Sequence, residues 1–229
     1  LAQDERIPLG EEAFTDVNAA RFYDEHARRF MGSVYRRFAK KVANNGASGA
    51  PVLDIGTGSG LLAIELAKAR PDWQVTGTDI SEKMLELARQ NAIRAGLNKG
   101  IDFQQAPAAA LPFSDNSFDL VASNASLHLW TDPLKVFQEI YRVIKPGGYC
   151  LIWDNMRLTA LSPFLRLVGR ILGMNAAQRR LWLDAMRASY TIGETKTILG
   201  KSSLKDAHVS IIPGFFYLSI QWRKQSAEP

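Results

Sequence analysis

Hydrophobic residues along this chain follow two periods that take turns. From residue 17 to 43, Tyr23, Ala27, Phe30, Met31, Val34, Tyr35, Phe38 and Val42 recur at three- and four-residue intervals with charge on the opposite side. That pattern predicts a single amphipathic helix, followed by a polar, glycine-containing linker over 44–49. Short apolar runs over Pro51–Ile55, 73–78, Ile101–Gln105, 118–123 and 149–153 then read as strands. Helical patterns separate them. One covers Leu61–Ala69 and stops before Pro71. A second begins after Ser81, carries Met84, Leu85, Ala88 and Ala92 on one face and stops at Gly96, and a third starts at Asp132-Pro133 and runs to Ile144. Repeated strand–helix units of this length imply a parallel sheet covered on both faces. Residues 145–148, KPGG, read as the turn before the fifth strand. The tail differs: runs over 209–212 and 215–220 flank Pro213-Gly214, which predicts a hairpin and therefore an antiparallel last strand. Between 155 and 192 the alternation breaks, and two apolar-striped helices are expected over 163–172 and 176–190.

The first strand leads into VLDIGTGSG over 52–60, with glycines at 56, 58 and 60 just ahead of a helix. A strand that turns into a helix through glycines brings bare backbone N–H groups, and the positive end of the helix dipole, against a ligand. Nineteen residues beyond Gly60, the second strand closes at Asp79, where a carboxylate can accept two hydrogen bonds from a ribose diol. Together these describe a site for an adenosine-containing cofactor. A dinucleotide fingerprint needs glycine at 61, but Leu61 stands there, and Asp54 lies two residues ahead of the first glycine. Both features argue against an NAD-dependent oxidoreductase.

Asp54, the G-x-G-x-G loop and Asp79, with LPFSDNSFD over 111–119 and KPGG over 145–148, resemble the class I S-adenosylmethionine-dependent methyltransferases of small-molecule type. The resemblance covers residues 50–155 well and the flanks loosely. It implies S-adenosylmethionine as co-substrate, methyl transfer to a small-molecule acceptor, and a doubly wound, mostly parallel, seven-stranded Rossmann-like sheet. One domain is expected over 1–229: an N-terminal helical lid (1–49), a cofactor-binding core (50–154), a helical cap insertion (155–192), and a C-terminal helix and hairpin (193–229). The resemblance puts cofactor contacts on Tyr23, Asp54, Gly56, Thr57, Gly58, Asp79, Ile80, Ala106, Pro107 and Asn124. Asp79 would hold the ribose as a pure ligand residue whose loss spares the fold; the glycine loop would meet the methionine part, and Asn124 would act through its backbone. At Pro107 the chain departs from the pattern. The family often has an Asp there, facing the adenine amino group, so this contact is expected from backbone or from Gln105.

The fourth strand ends in SNASLH over 123–128. Base N-methyltransferases carry an Asn/Asp-Pro-Pro-aromatic segment at this place, and cytosine C5 methylation needs a cysteine nucleophile there; this chain has neither. No catalytic residue is assigned, but His128 is a candidate general base, because imidazole titrates near neutrality, and Asp154 is the other candidate. Asp154-Asn155 also resembles part of the magnesium site of catechol-type O-methyltransferases, but its fourth-strand partner would be Asn124 rather than an acid, and no metal is expected.

Composition adds limits. With 229 residues, 46% hydrophobic and 22% charged, the chain has the balance of an ordinary globular protein. Its single cysteine, Cys150, lies in an apolar run and reads as a core strand residue, which suits a reducing compartment, the cytoplasm. No apolar stretch reaches the roughly eighteen residues of a membrane span. The chain opens on Leu1, so a trimmed leader stays open. A net charge of +5 favours encounter with anionic partners. The basic pairs at 28–29, 36–37, 40–41 and 179–180 nevertheless fall at solvent positions of helices, without the interleaved aromatics that stack bases. Nucleic acid is therefore not the expected partner, although an RNA-directed methyltransferase and a non-catalytic cofactor-binding partner remain alternatives. Phe164, Val168, Trp182, Tyr23 and Phe30 are expected to line the acceptor pocket, under a rim of Arg166, Arg170, Arg179 and Arg180. That combination suits a hydrophobic or aromatic acceptor, with a carboxylate or phosphate on the rim. The acceptor atom, and whether the chain is a monomer or a homodimer, stay open.

Overall fold

A computed structural model describes residues 6–9, 17–158, 162–213 and 217–226. Seven strands form one sheet: β1 (Pro51–Ile55), β2 (Gln74–Asp79), β3 (Ile101–Gln105), β4 (Phe118–Asn124), β5 (Ile144–Asn155), β6 (His208–Ile212) and β7 (Tyr217–Arg223), in the order β3-β2-β1-β4-β5-β7-β6. The first five pair in parallel, and β7 runs antiparallel to both β5 and β6. The expected antiparallel last strand is thus present; Gly214 and Phe215, placed in its hairpin by the sequence, lie outside the described residues. Chain order reverses on either side of β1, so the C-terminal ends of β1 and β4 form the switch point where open α/β sheets bind ligands.

The helices are α1 (Val17–Phe30), α2 (Gly32–Ala43), α3 (Leu61–Ala69), α4 (Glu82–Arg94), α5 (Pro133–Val143), α6 (Ser162–Ile171), α7 (Ala176–Ala188) and α8 (Ile192–Gly200). The apolar stripe over 17–43 therefore belongs to two helices rather than one. The break falls at Met31, beside Gly32, a residue that weakens a helix interior, although Met31 N–H still reaches Ala27 O at 2.8 Å. The caps read from sequence are formed: Ser81 accepts from Met84 N–H, and Asp132 from Lys135 N–H with Pro133 at the first helical position. β5 begins earlier than expected. Ile144 already pairs with Phe118, and the register shifts before Tyr149 meets Leu120, so KPGG is a bulge inside the strand rather than a turn before it.

Two apolar cores lie on the two faces of the sheet, and alternation along the strands assigns each side chain. Val52, Leu151 and Trp153 join Phe38, Leu66 and Leu85 under α2, α3 and α4. Leu53, Ile55, Cys150 and Ile152 join Phe137 and Ile140 of α5 and Leu199 of α8. Each such buried aliphatic or aromatic side chain contributes about 1.5–3 kcal/mol. Cys150 is fully buried, and desolvation pushes its thiol far above the usual range.

α6 and α7 stand past the C-terminal end of β5. Their base is tied back by a bridge between Met156 and Tyr190, by buried Arg157, which donates to Ser189 O at 3.1 Å and pairs with Glu194, and by the Thr191–Glu194 capping box of α8.

Candidate functional site

The glycine loop leaves β1 with Gly56 at φ +66°, and a Cβ there would stand 2.1 Å from Ser126 Oγ. Only glycine lets the loop after β1 lie this close to the loop after β4. Thr57 N–H donates to Thr78 O at 2.8 Å, which pins the loop to β2. Asp79, the last residue of β2, closes the arrangement: its Oδ2 accepts from Gly58 N–H and its Oδ1 from Ser81 N–H, each at 2.9 Å. Burial raises its pKa, while the backbone N–H groups of Ser81, Gly58 and Ile80 pull the other way.

A narrow cleft of about 70 Å³ runs beside these groups. Of the residues expected to hold a cofactor, Tyr23, Gly56, Gly58, Asp79, Ile80 and Ala106 line it. Pro107 does not: it is exposed, and Ala106 and Ala108 take the wall instead. Gln105 is exposed too, its Nε2 donating to Ile80 O at 2.9 Å. Ser81, Met84, Ser126, Leu129 and Trp130 also line the cleft, a place that the sequence does not assign to any of them. Ser126, Leu129 and Trp130 come from the 3₁₀ turn after β4 (Leu127–Leu129) and its flanks, a segment whose path has no sequence signature.

A second, small cavity of about 20 Å³ holds the other expected contacts, Asp54, Thr57 and Asn124, beside Gly56 and Gly58. Asp54 is buried. Thr57 Oγ1 donates to its Oδ2 at 2.7 Å, and its Oδ1 has no partner. Desolvation pushes the Asp54 pKa up to about 7, opposed by the Thr57 hydrogen bond and the Ala63 backbone N–H and reinforced by Asp79. Asn124 was expected to act through its backbone, yet its side chain carries the open valences: Oδ1 and Nδ2 are both buried and unpaired.

Buried polar groups without partners are costly. An unpaired carboxylate oxygen beside an unpaired amide matches the ammonium and carboxylate of an amino-acid moiety, and the oriented Asp79 carboxylate matches a diol. The residues present therefore fit S-adenosylmethionine.

Beyond the cleft lies a cavity of about 430 Å³ with mostly apolar walls, built by α1, the start of α2, α6 and α7. Tyr23 and Ala125 line both it and the cleft. Tyr23 and Tyr35 are hydrogen-bonded through their hydroxyls, and burial raises the Tyr23 pKa to about 12. Of the residues expected to line an acceptor pocket, Tyr23, Phe30, Val168 and Trp182 do so. Phe164 points outward, 51% exposed, and the four rim arginines are absent from the cavity wall.

Besides the tyrosines Tyr23 and Tyr217, the polar residues His26, His128 and Asn155 line this apolar wall. His128 and Asp154, the two catalytic candidates, prove to be partners. Both are buried, His128 Nδ1 lies 2.7 Å from Asp154 Oδ1, and Asp154 Oδ2 accepts from the His128 backbone N–H at 3.1 Å. A carboxylate can only accept here, so in the neutral ring Nδ1 carries the proton and Nε2, which has no partner among the described residues, presents its lone pair. His26, not foreseen from sequence, is buried with Nδ1 unpaired, and burial lowers its pKa.

A family model described as a methyltransferase domain matches residues 53–152. A ubiquinone/menaquinone biosynthesis C-methyltransferase of Desulfotalea psychrophila is 33% identical over 219 residues, 94% of this chain and 85% of that protein. The 27-O-demethylrifamycin SV methyltransferase of Amycolatopsis mediterranei is 41% identical over 107 residues, 47% of this chain and 39% of its own length. Among solved structures, an S-adenosylmethionine-dependent methyltransferase of Aquifex aeolicus superposes with a TM-score of 0.64 at 22% identity, covering 91% of this chain and 98% of that one. The plantazolicin methyltransferase BpumL, solved with S-adenosylhomocysteine, reaches 0.74 at 14% identity, covering 94% and 93%. At these identities the structural likeness is one of fold.

Proposed function

The chain belongs to the class I S-adenosylmethionine-dependent methyltransferases, and we propose that it methylates an apolar small molecule bearing a hydroxyl whose proton must leave as the methyl arrives. When bound, S-adenosylmethionine supplies a methyl group on a sulfonium, which departs as a neutral thioether. Asp79 would hold the ribose hydroxyls, and Asp54 and Asn124 the amino-acid end, with Gly56, Thr57 and Gly58 shaping the loop between them. The cleft and the small cavity fall below the roughly 300–1,000 Å³ of ligand pockets. Donor entry would therefore move Tyr23, which lines both, and α1 and α2 would act as a lid over 1–49. The insertion over 155–192 would cap the acceptor, whose apolar body fits the 430 Å³ cavity.

One observation carries this reading: the buried His128–Asp154 pair opens on an apolar cavity that adjoins the cofactor cleft. His128 Nε2 takes the hydroxyl proton while the acceptor oxygen forms its bond to the methyl carbon. The positive charge thus moves onto the imidazole, where the Asp154 carboxylate stabilises it. The apolar wall excludes water, so alignment contributes most of the remaining rate. The relatives named above include a C-methyltransferase, so the choice of a hydroxyl rests on the dyad. The single buried thiol supports a reducing, cytoplasmic setting.

The test is transfer of radiolabelled methyl to a panel of apolar phenols, amines and thiols by the parent and by His128→Asn. Turnover on phenols, reduced about 10²–10⁴-fold in the variant with S-adenosylhomocysteine affinity unchanged, supports the reading. Transfer only to amines or thiols, or equal rates in the variant, overturns it.

A further inference from the structure

α6 buries only one side of its apolar surface. Leu165 packs inward, Val168 lines the large cavity, and Leu172, just past the helix, lines it while staying 49% exposed. Phe164 (51% exposed), Leu167 (52%) and Ile171 (75%) face solvent. At about 100° per residue these three lie within about 60° of one another, forming a continuous outward ridge. Single exposed aliphatics are normal, but three large ones stacked on one short helix mark an interaction surface.

Charge indicates what covers it. Between Asp154 and Asp184 the chain carries Arg157, Arg166, Arg170, Arg179 and Arg180 and no acidic residue. Arg157 is buried in its pair with Glu194. Arg166 and Arg170 are exposed on the flank of the ridge, with no ion-pair partner among the described residues. At the C-terminal end of α6, Arg29 of α1 comes within 3.5 Å of where a Cβ on Gly173 would lie, so a further cation borders the same surface. A second copy of the chain would bring the same arginines face to face, which like-charge repulsion opposes. An apolar ridge bordered by unpaired arginines is the pattern of a helix lying in the interface of an anionic lipid surface.

We propose that α6 seats this protein on membranes containing anionic phospholipids, with Phe164, Leu167 and Ile171 entering the acyl boundary and Arg166 and Arg170 meeting headgroup phosphates. Because Val168 of the same helix and Leu172 just beyond it line the apolar cavity, docking sets the cavity wall against hydrocarbon, and a lipophilic acceptor reaches it without crossing water. That last consequence rests on the acceptor reading given above; lipid binding itself does not.

The experiment is co-sedimentation of the full chain with vesicles of phosphatidylcholine alone or mixed with phosphatidylglycerol. The variants are Leu167→Asp/Ile171→Asp, Arg166→Gln/Arg170→Gln and the control Ile93→Asp, at an isoleucine 63% exposed on α4. Thermal unfolding and S-adenosylhomocysteine affinity check that each variant is folded. The parent and Ile93→Asp should sediment with the mixed vesicles. The aspartate pair should bind at least about tenfold more weakly, and the glutamine pair should lose the preference for phosphatidylglycerol. Three results overturn the proposal: no sedimentation of the parent, equal binding by the folded aspartate pair, or a concentration-dependent dimer of the parent that the aspartate pair dissociates, which would assign the ridge to a second copy. Loss of vesicle binding with unchanged methylation of a water-soluble phenol separates this proposal from the acceptor reading.

Discussion

Gly56→Ala tests whether the junction of the two loops is as tight as it looks. Two costs are legible. An alanine at φ +66° is held in the left-handed region, which costs about 1–2 kcal/mol. Its Cβ would also stand 2.1 Å from Ser126 Oγ and 2.8 Å from Ser126 Cβ. Rotating the hydroxyl away cannot relieve the second contact, and Ser126 Oγ is in addition held by Trp130 Nε1 at 3.0 Å. Overpacking of this kind costs about 1–3 kcal/mol. The sum, about 2–5 kcal/mol, should lower the unfolding midpoint by about 4–20 °C in a chain of this size. Donor affinity should fall with it, since the displaced backbone lines the cleft. The decisive assay is a double-mutant cycle with Ser126→Gly, measured by denaturant unfolding. Ser126→Gly alone loses the Trp130 hydrogen bond, about 1 kcal/mol, but it removes the steric part of the Gly56→Ala cost. The cycle should therefore show a favourable coupling of about 1–3 kcal/mol. A Gly56→Ala variant as stable as the parent, or a coupling of zero, would refute the reasoning.

Asp79→Ala should do more than weaken the donor, because the carboxylate also satisfies Gly58 N–H and Ser81 N–H; leaving two such groups unpaired costs about 1–3 kcal/mol each. Calorimetry with S-adenosylhomocysteine and thermal unfolding should both register the loss, and an unchanged midpoint would show that Asp79 is a ligand residue alone. Asp54, with its pKa raised to about 7 against about 3.9 in the unfolded chain, contributes stability that is fully present below about pH 4 and is lost as pH rises through about 7. Asp54→Asn should therefore flatten the fall in midpoint across this window. An ammonium-bearing donor favours the ionised carboxylate, so donor affinity should rise with pH through about 7 in the parent and not in Asp54→Asn. Replacing residues 163–185 with a Gly-Ser linker should keep donor affinity and abolish methyl transfer, because the cleft lies outside this segment while one side of the cavity wall lies within it; loss of both would assign α6 and α7 to the structural core.

Much of the fold was legible because it follows from local pattern. Alternating strand and helix periods, the Ser81 and Asp132 caps and the glycine loop each act over a few residues, so the parallel sheet, its reversed last strand and the positions of Gly56, Gly58 and Asp79 could be read along the chain. The exceptions within that reading were also local: an unbroken stripe over 17–43 does not reveal the break beside Gly32, and KPGG spells a turn although cross-strand pairing makes it a bulge.

What stayed hidden depends on contacts between distant segments. Sequence offered His128 and Asp154 as separate candidates, and only the parallel pairing of β4 with β5 brings them within 2.7 Å as one buried dyad. Asn124 was assigned by its backbone, whereas packing decided that its side chain carries the unpaired groups. Pro107 fell outside the cleft and Ser126 and Trp130 inside it, because the wall is set by how the loops after β3 and β4 fold over the sheet edge. The apolar stripe of α6 could be counted from the sequence, but which part of it meets the cavity and which part meets solvent is a property of helix rotation, set by the tertiary packing of α7 against it.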